Sequence, residues 1–324
     1  FKGYSYYALF AQSWFFSAVS AALLYILANK IMSSRKIALL VSVFYCFYLP
    51  EIFISTTYAA GSESLFTFLI MVYFCLIIRQ IETRSLKLAF AAGLVLALAF
   101  LSRPIVLFFP LLYAGWAFWK YRLKAVPSLA AYLTAFILCV SPWVIRNQII
   151  IGKPILTTTL GGYNLLRHNW LISRGEYRLC TAEDFLPIAN QTIRELRGEN
   201  KILTEVQLDE IFTRKAKEII RQYPWRYLKL TAIRSVWLWY KIGAEKPPAI
   251  FWNIFVYIFM FPGLALVLIR RHLLSFFALH IFYFVLIHMG INAQFRFICP
   301  MMPYGIMIAF YMIFRVFRPP ISSF

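Results

Sequence analysis

The feature that most constrains the fold is a series of apolar segments of about 15–21 residues, the length that crosses a hydrocarbon core about 30 Å thick as an α-helix. The chain is 61% hydrophobic and 14% charged, whereas soluble domains carry about 25% charged residues. The apolar runs are continuous, unlike the short alternating strands of an outer-membrane barrel. The sequence therefore predicts an all-α polytopic membrane protein. About nine transmembrane helices are predicted, at 8–28, 37–57, 64–80, 86–101, 105–119, 127–145, 249–269, 273–291 and 297–315.

Basic residues in the short connections predict the orientation of these spans. Thirteen fall on one side if all nine spans cross: Lys30, Arg35, Lys36, Arg79, Arg84, Lys87, Lys120, Arg122, Lys124, Arg270, Arg271, Arg315 and Arg318. The opposite short connections hold only Arg103 and Arg296, besides Lys2 near the start. Cytoplasmic loops are enriched in Lys and Arg, so the first set is predicted to be cytoplasmic. This also accounts for the net charge of +20 without a nucleic-acid partner.

The same topology places one long polar segment outside the membrane. The predicted domains are a first part of the transmembrane core at 1–147, an external domain at 148–247 and a second part of the core at 248–324. The external domain is expected to be mainly helical, between the sixth and seventh spans. Thr204 and Gln207 fit a capping box at a helix start, and Pro224 is expected to end or kink that helix. The following segment is rich in Trp, Tyr, Arg and Lys, which is typical of a helix at the membrane interface.

Polar residues at the external ends of the spans are the candidate site. They are Glu51, Glu63, Arg103, Arg146, Asn147, Gln294 and Arg296. Each alone is equally well explained as an ordinary helix-end residue among lipid head groups. As a set they favour an anion-binding cavity, because this side is otherwise poor in short-loop cations and charge within a span is costly. Glu63 has two interpretations: an acidic first-turn residue of a helix capped by Ser62, or a carboxylate that orients an acceptor hydroxyl or amine.

Histidines, cysteines and nucleotide motifs give little further direction. His168 lies close in sequence to Tyr163 and Asn164 in the external segment, and these residues are candidates for substrate binding. His280 and His288 share one helix face, but packing or a polar cavity explains them better than a metal. The five cysteines show no disulfide or zinc spacing. No metal site is predicted, although a role for a divalent cation stays open, and no motif for a soluble nucleotide cofactor occurs.

The chain resembles a family of membrane glycosyltransferases in four stretches that occur in the family's order. They are LAFAAGLVLALAFLSRPIVLFFPLL, SPWVIRNQIIIGKPILTTTLGGYNLL, KAKEIIRQYPWRYLKL and NAQFRFICPMMPY. The family is that of polyprenyl- and dolichyl-phosphate-sugar-dependent enzymes of the protein mannosyltransferase and aminoarabinose transferase type, family-39-like, with the C-type glycosyltransferase fold. The segment YLPEIFISTTYAAGSESLF also resembles it, with Ser64 where the family usually has proline.

The resemblance implies transfer of a sugar from a polyprenyl-phosphate donor to a lipid, glycan or protein acceptor on the external face. It implies phosphate binding by Arg103, Arg146 and Arg296, with Gln294 beside them, and substrate contacts from Asn147, Tyr163, Asn164 and His168. The family's general base is an Asp after its first span. That span and the Asp are expected upstream of Phe1, so Glu63 is carried over as a second carboxylate. A multi-pass bacterial inner-membrane protein of cell-envelope biosynthesis, with its active site outside, is expected.

Two other functions remain open from the sequence. A transporter or flippase of lipid-linked saccharides would use the same arginines as a phosphate path, but it would more often show mid-membrane charges and internal repeats. A membrane scaffold would leave the external arginines unexplained. For the transferase, replacing Arg146 or Arg296 by alanine is expected to abolish transfer without affecting membrane insertion.

Overall fold

The computed structural model describes residues 6–57, 62–197, 203–240, 247–270 and 273–316. Lys2, Arg271 and Arg318 lie outside these ranges. Across them the chain is helical, and no β-strand occurs in the described residues. The α-helices run in the order α1 (Tyr6–Met32), α2 (Arg35–Cys46), α3 (Leu49–Thr57), α4 (Glu63–Thr83), α5 (Leu86–Ser102), α6 (Phe109–Tyr121), α7 (Val126–Ile151), α8 (Gly161–Asn169), α9 (Ala182–Arg197), α10 (Glu205–Gln222), α11 (Pro224–Tyr240), α12 (Pro247–Ile269), α13 (Ser275–Ile291), α14 (Phe295–Ile298) and α15 (Met302–Val316).

Five helical stretches of the described chain are long and apolar enough to cross a membrane: Tyr7–Met32, Glu63–Thr83, Pro104–Ile151, Phe251–Ile269 and Phe295–Arg315. The pair α2 and α3 passes the same test as one span bent by 44°. Leu86–Ser102 and Ser275–Ile291 are shorter apolar helices. The protein is therefore an all-α protein built to be embedded in a membrane, and every predicted span lies in helical chain.

The stretch Pro104–Ile151 folds back on itself. Arg122 has a φ of 55° between α6 and α7. Tyr113 and Tyr132, on either side of this turn, have ring centroids 5.0 Å apart. In a single straight helix a separation of 19 positions would place them about 28 Å apart. The stretch consequently contains two antiparallel helices, which correspond to the two spans predicted at 105–119 and 127–145.

Contacts between helices give their relative directions. Ser13 bonds Ser64 at 2.7 Å, and Cys75 lies 3.9 Å from the Leu23 carbonyl, so α1 and α4 run parallel. Ser42 donates to the Ala21 carbonyl at 2.7 Å and Ser13 to the Ser55 carbonyl at 2.9 Å, so the α2–α3 pair runs against α1. The same relative directions are required if α1, the α2–α3 pair and α4 cross a membrane one after another.

Small residues let two of the membrane helices approach closely. A Cβ added at Gly93 in α5 would overlap the Tyr132 backbone of α7.

Pro142 leaves the Leu138 carbonyl without its usual helical donor, and the Ser141 hydroxyl donates to that carbonyl at 3.3 Å. The helix therefore continues past Pro142 and beyond the predicted span end at residue 145, and it ends at Ile151 before Gly152 with a φ of 79°.

The segment between α7 and α12 packs around a hydrophobic core of its own. Leu166, Phe185, Phe212 and Leu230 are buried in it, and Ala293, from the connection after α13, joins them. The predicted capping box of Thr204 and Gln207 is confirmed at the start of α10, and α11 begins at Pro224 as expected. This unit sits on the ends of α7 and α13, and it closes the space in which the candidate site lies.

Candidate functional site

A cavity of about 630 Å³ lies where the membrane helices meet the segment between α7 and α12. Its walls come from the first turn of α4, the link after α5, the segment around α8, the last turns of α13 and α14. It brings together six of the nine candidate residues other than Glu51, and we call it the first cavity. They are Glu63, Arg103, Asn164, His168, Gln294 and Arg296.

Glu63 and Arg103 form an ion pair at the wall of the first cavity. The Glu63 side chain is only 7% exposed and the Arg103 side chain 20%, so solvent screens the pair weakly. The Arg103 Nε donates to the Ser62 hydroxyl at 2.9 Å. Ser62 is at the N-cap of α4, but its side chain makes no capping hydrogen bond. The interpretation in which Ser62 caps this helix is therefore wrong. The second carboxylate oxygen of Glu63, Oε2, is buried and has no hydrogen-bond partner among the described residues.

The connection after α13 supplies a second part of the wall. Residues 292–294 run without helix between α13 and the short helix α14, and both Gln294 and Arg296, two positions apart, line the cavity. The Arg296 guanidinium lies 4.8 Å from the centre of the Phe297 ring. Phe297 in turn stacks on His288 at 4.9 Å with an interplanar angle of 16°. Aromatic rings therefore fix the direction from which Arg296 meets the cavity.

Helix α8 supplies a third part of the wall, with Asn164, Arg167 and His168. Burial, followed by the positive charges of Arg234, Arg167 and Arg296, lowers the pKa of His168 to about 3. His168 is therefore neutral at physiological pH and contributes no positive charge. Its Nδ1 is buried without a hydrogen-bond partner, as is the Nε of Arg167. Both atoms belong to side chains that line the first cavity.

Arg234 of α11 fixes the position of α8. It is 2% exposed, and its guanidinium donates to the Asn169 side chain at 2.9 Å, to the Gly290 carbonyl at 3.3 Å and to the His168 carbonyl. Burial lowers its pKa to about 10, so it stays charged. Nothing in the sequence singles out Arg234 beyond its place in the predicted interfacial helix. Arg167 was also missed, because it is one of sixteen basic residues in the predicted external domain at 148–247.

The balance of charge in the first cavity is positive. Arg103, Arg167 and Arg296 line it, and Glu63 is the one carboxylate among the described residues of its wall. Guanidinium groups bind phosphate and carboxylate oxygens through planar, paired hydrogen bonds. The cavity also has apolar walls from Phe66, Leu107, Tyr283, Phe284 and Ile287. The arrangement suits a ligand with an anionic group and an apolar portion.

The other three candidates lie elsewhere. Arg146, Asn147 and Tyr163 line a second cavity of about 500 Å³, together with residues of α10. Asn147 accepts from Arg146 at 3.0 Å and donates to the Ile155 carbonyl at 2.8 Å. Because α7 continues beyond Pro142, Arg146 lies within the helix rather than at a span end facing the first cavity.

Glu51 and the two histidines of α13 have different surroundings. Glu51 is buried and accepts from the Cys299 thiol at 2.7 Å, so it lines neither cavity. His280 is fully buried among aromatic rings, whereas His288 lines the first cavity. Among the described residues no group of three or more His, Cys, Asp or Glu side chains could hold a metal ion.

Comparison with known proteins adds no name to this geometry. No protein-family model, no curated protein and no solved structure matches the chain.

Proposed function

We propose that the protein is a glycosyltransferase that moves a sugar from a polyprenyl-phosphate donor to a lipid, glycan or protein acceptor on the external membrane face. The observation that carries the proposal is the convergence of Arg103, Arg167 and Arg296 in a partly apolar cavity at one end of the membrane helices. A phosphate attached to an isoprenoid chain combines the two chemistries that this cavity offers. Nine crossings in a C-type glycosyltransferase fold, in a bacterial inner membrane, belong to the same proposal.

The proposed reaction is a displacement at the anomeric carbon. The acceptor oxygen bonds to that carbon while the bond to the phosphate oxygen breaks, and the electron pair leaves on the phosphate. The acceptor proton goes to a carboxylate base, the Asp that the family resemblance implies. Arg167 and Arg296 stabilise the charge that develops on the phosphate. Glu63 acts as a second carboxylate that holds Arg103 at the wall of the first cavity.

The test is release of free polyprenyl phosphate from a polyprenyl-phosphate sugar by the purified full-length protein in lipid nanodiscs. We expect Arg296→Ala and Arg167→Ala to lower the rate about 100-fold, the usual effect of removing one donor to a developing anion. Arg226→Ala is the matched control, since Arg226 bonds the Ile172 and Ser173 carbonyls and lines neither cavity. Movement of the intact donor across the bilayer without release would support a flippase instead.

A further inference from the structure

The second cavity differs from the first in its charge. Glu205 and Asp209 of α10 line it opposite a single cation, Arg146. Asp209 accepts from the Gly162 amide, and Glu205 accepts from the Thr159 hydroxyl at 3.2 Å. A phosphate placed here would face two carboxylates, an arrangement that disfavours anions. The donor's phosphate therefore fits the first cavity and not the second.

The walls of the second cavity carry groups that suit a sugar. Trp143 is 38% exposed, and its ring lies with that of Tyr163 along the cavity. Thr158, Thr159, the carboxylates and Arg146 provide both hydrogen-bond donors and acceptors. Flat rings offer apolar area at low conformational cost, while hydroxyls and carboxylates pair with sugar hydroxyls.

The two cavities share one wall. Thr157, Thr158 and Leu160, from the segment between α7 and α8, line both of them. A molecule bound in the second cavity is therefore separated from the first by the thickness of a single chain segment.

We propose that the second cavity binds a saccharide without net negative charge, and that this saccharide is part of the acceptor. The acceptor role rests on the proposed function, whereas saccharide binding itself does not. Trp143 and Glu205 are the residues that would contact the saccharide. Asp209 positions α8 through Gly162 and is not used as a probe for that reason.

The experiment measures binding of a saccharide panel to the full-length protein in nanodiscs by saturation-transfer-difference NMR. The probes are neutral mono- to trisaccharides of glucose, galactose, mannose and N-acetylglucosamine, and the 6-phosphates of the monosaccharides. We expect saturable binding of at least one neutral probe and weaker binding of its phosphate. Trp143→Leu should weaken binding about tenfold, as loss of a central aromatic contact usually does, and Glu205→Gln should weaken it less. Trp225→Leu is the control, because Trp225 is 81% exposed on α11 and lines neither cavity.

Three results would overturn the inference: no neutral probe binds, Trp143→Leu leaves binding unchanged, or the phosphates bind more tightly than the neutral sugars. Loss of binding in Arg167→Gln but not in Trp143→Leu would place the saccharide in the first cavity and also overturn it. Failure of the proposed function is separate. It would appear as absent release of polyprenyl phosphate while saccharide binding and its dependence on Trp143 persist.

Discussion

At the scale of single residues, the ion pair of Arg103 and Glu63 lines the first cavity and also contributes to the stability of the fold. Replacing Arg103 by glutamine would leave a nearly buried carboxylate without its cation. We expect the variant to lose about 3 kcal/mol of stability, since breaking a buried pair leaves an uncompensated charge. The double variant Arg103→Gln/Glu63→Gln should recover most of this loss. Unfolding of the detergent-solubilised protein measures both, and simple additivity of the two single changes would show that the residues are not coupled.

His168 gives a prediction for pH dependence. Its pKa is about 3 in the folded protein and about 6.5 when unfolded, so the unfolded chain binds the extra proton between these values. Stability is therefore full above pH 6.5 and falls as the pH is lowered toward 3. Between pH 7 and pH 5 the loss from this group is about 2 kcal/mol. His168→Gln should remove it, so the variant's melting temperature should drop less over that interval; an equal drop would contradict the prediction.

Some site residues could be predicted from the sequence and others could not. Glu63, Arg103 and Arg296 were found because a charge at a span end is costly and the predicted external side holds few cations. Arg167 does not stand out in this way, since the segment around it is rich in both basic and acidic residues. The separation of Arg146 from the first cavity also had no signal, because it depends on how far α7 continues beyond Pro142. Burial of Arg234 depends on packing between segments far apart in the chain.

At the scale of elements, the contact between α8 and α10 sets the wall that carries Arg167 and His168. A Cβ at Gly162 would overlap the Asp209 carbonyl oxygen and crowd Thr213. Gly162→Ala should force the helices apart and lower stability by about 3 kcal/mol, the upper part of the usual range for overpacking.

The neighbouring glycine is a matched control for this prediction. A Cβ at Gly161 would have its nearest neighbour, Asp209 Oδ2, at 4.0 Å. Gly161→Ala should therefore be neutral or slightly stabilising. Hydrogen exchange of the α8 and α10 amides measures both variants. Equal protection in the two would mean that the close approach at Gly162 does not hold the wall in place.

The positions of the helices could be predicted from local sequence more reliably than the breaks and bends between them. Continuous apolar runs and the capping box of Thr204 and Gln207 are local signals, because each depends on residues close together in the chain. The structure has helices where these signals predict them. The segment 37–57 was predicted as one span, but it bends by 44° between α2 and α3, next to Pro50. Proline fits the first turn of a helix, so it allows a new helix to begin there. Whether it starts a helix or kinks one depends on what packs around it.

At the scale of the whole molecule, one set of charged residues lies at one end of the membrane helices, and the charged residues of the first cavity lie at the other end. Lys30 pairs with Glu82 at 3.0 Å, at the ends of the parallel helices α1 and α4. Arg84 lies 5.9 Å from the Tyr121 ring, beside the turn between α6 and α7. The first cavity lies at the other end of α4, where Glu63 begins the helix. A positive-inside orientation would place that cavity and the segment α8–α11 outside the cytoplasm.

This orientation predicts which surfaces a membrane-impermeant thiol reagent can reach. The probes are Glu218→Cys, on the exposed face of α10, and Leu123→Cys, which replaces a 77% exposed residue in the turn after α6. Both are placed in a background in which Cys46, Cys75, Cys139, Cys180 and Cys299 are replaced. We expect labelling at position 218 in intact spheroplasts and at position 123 only after the membrane is permeabilised. Permeabilised samples control for reactivity, since both probes should then label. The reverse pattern would put the first cavity on the cytoplasmic face, where an external acceptor could not reach it, and the proposed transfer reaction would have to be abandoned in its present form.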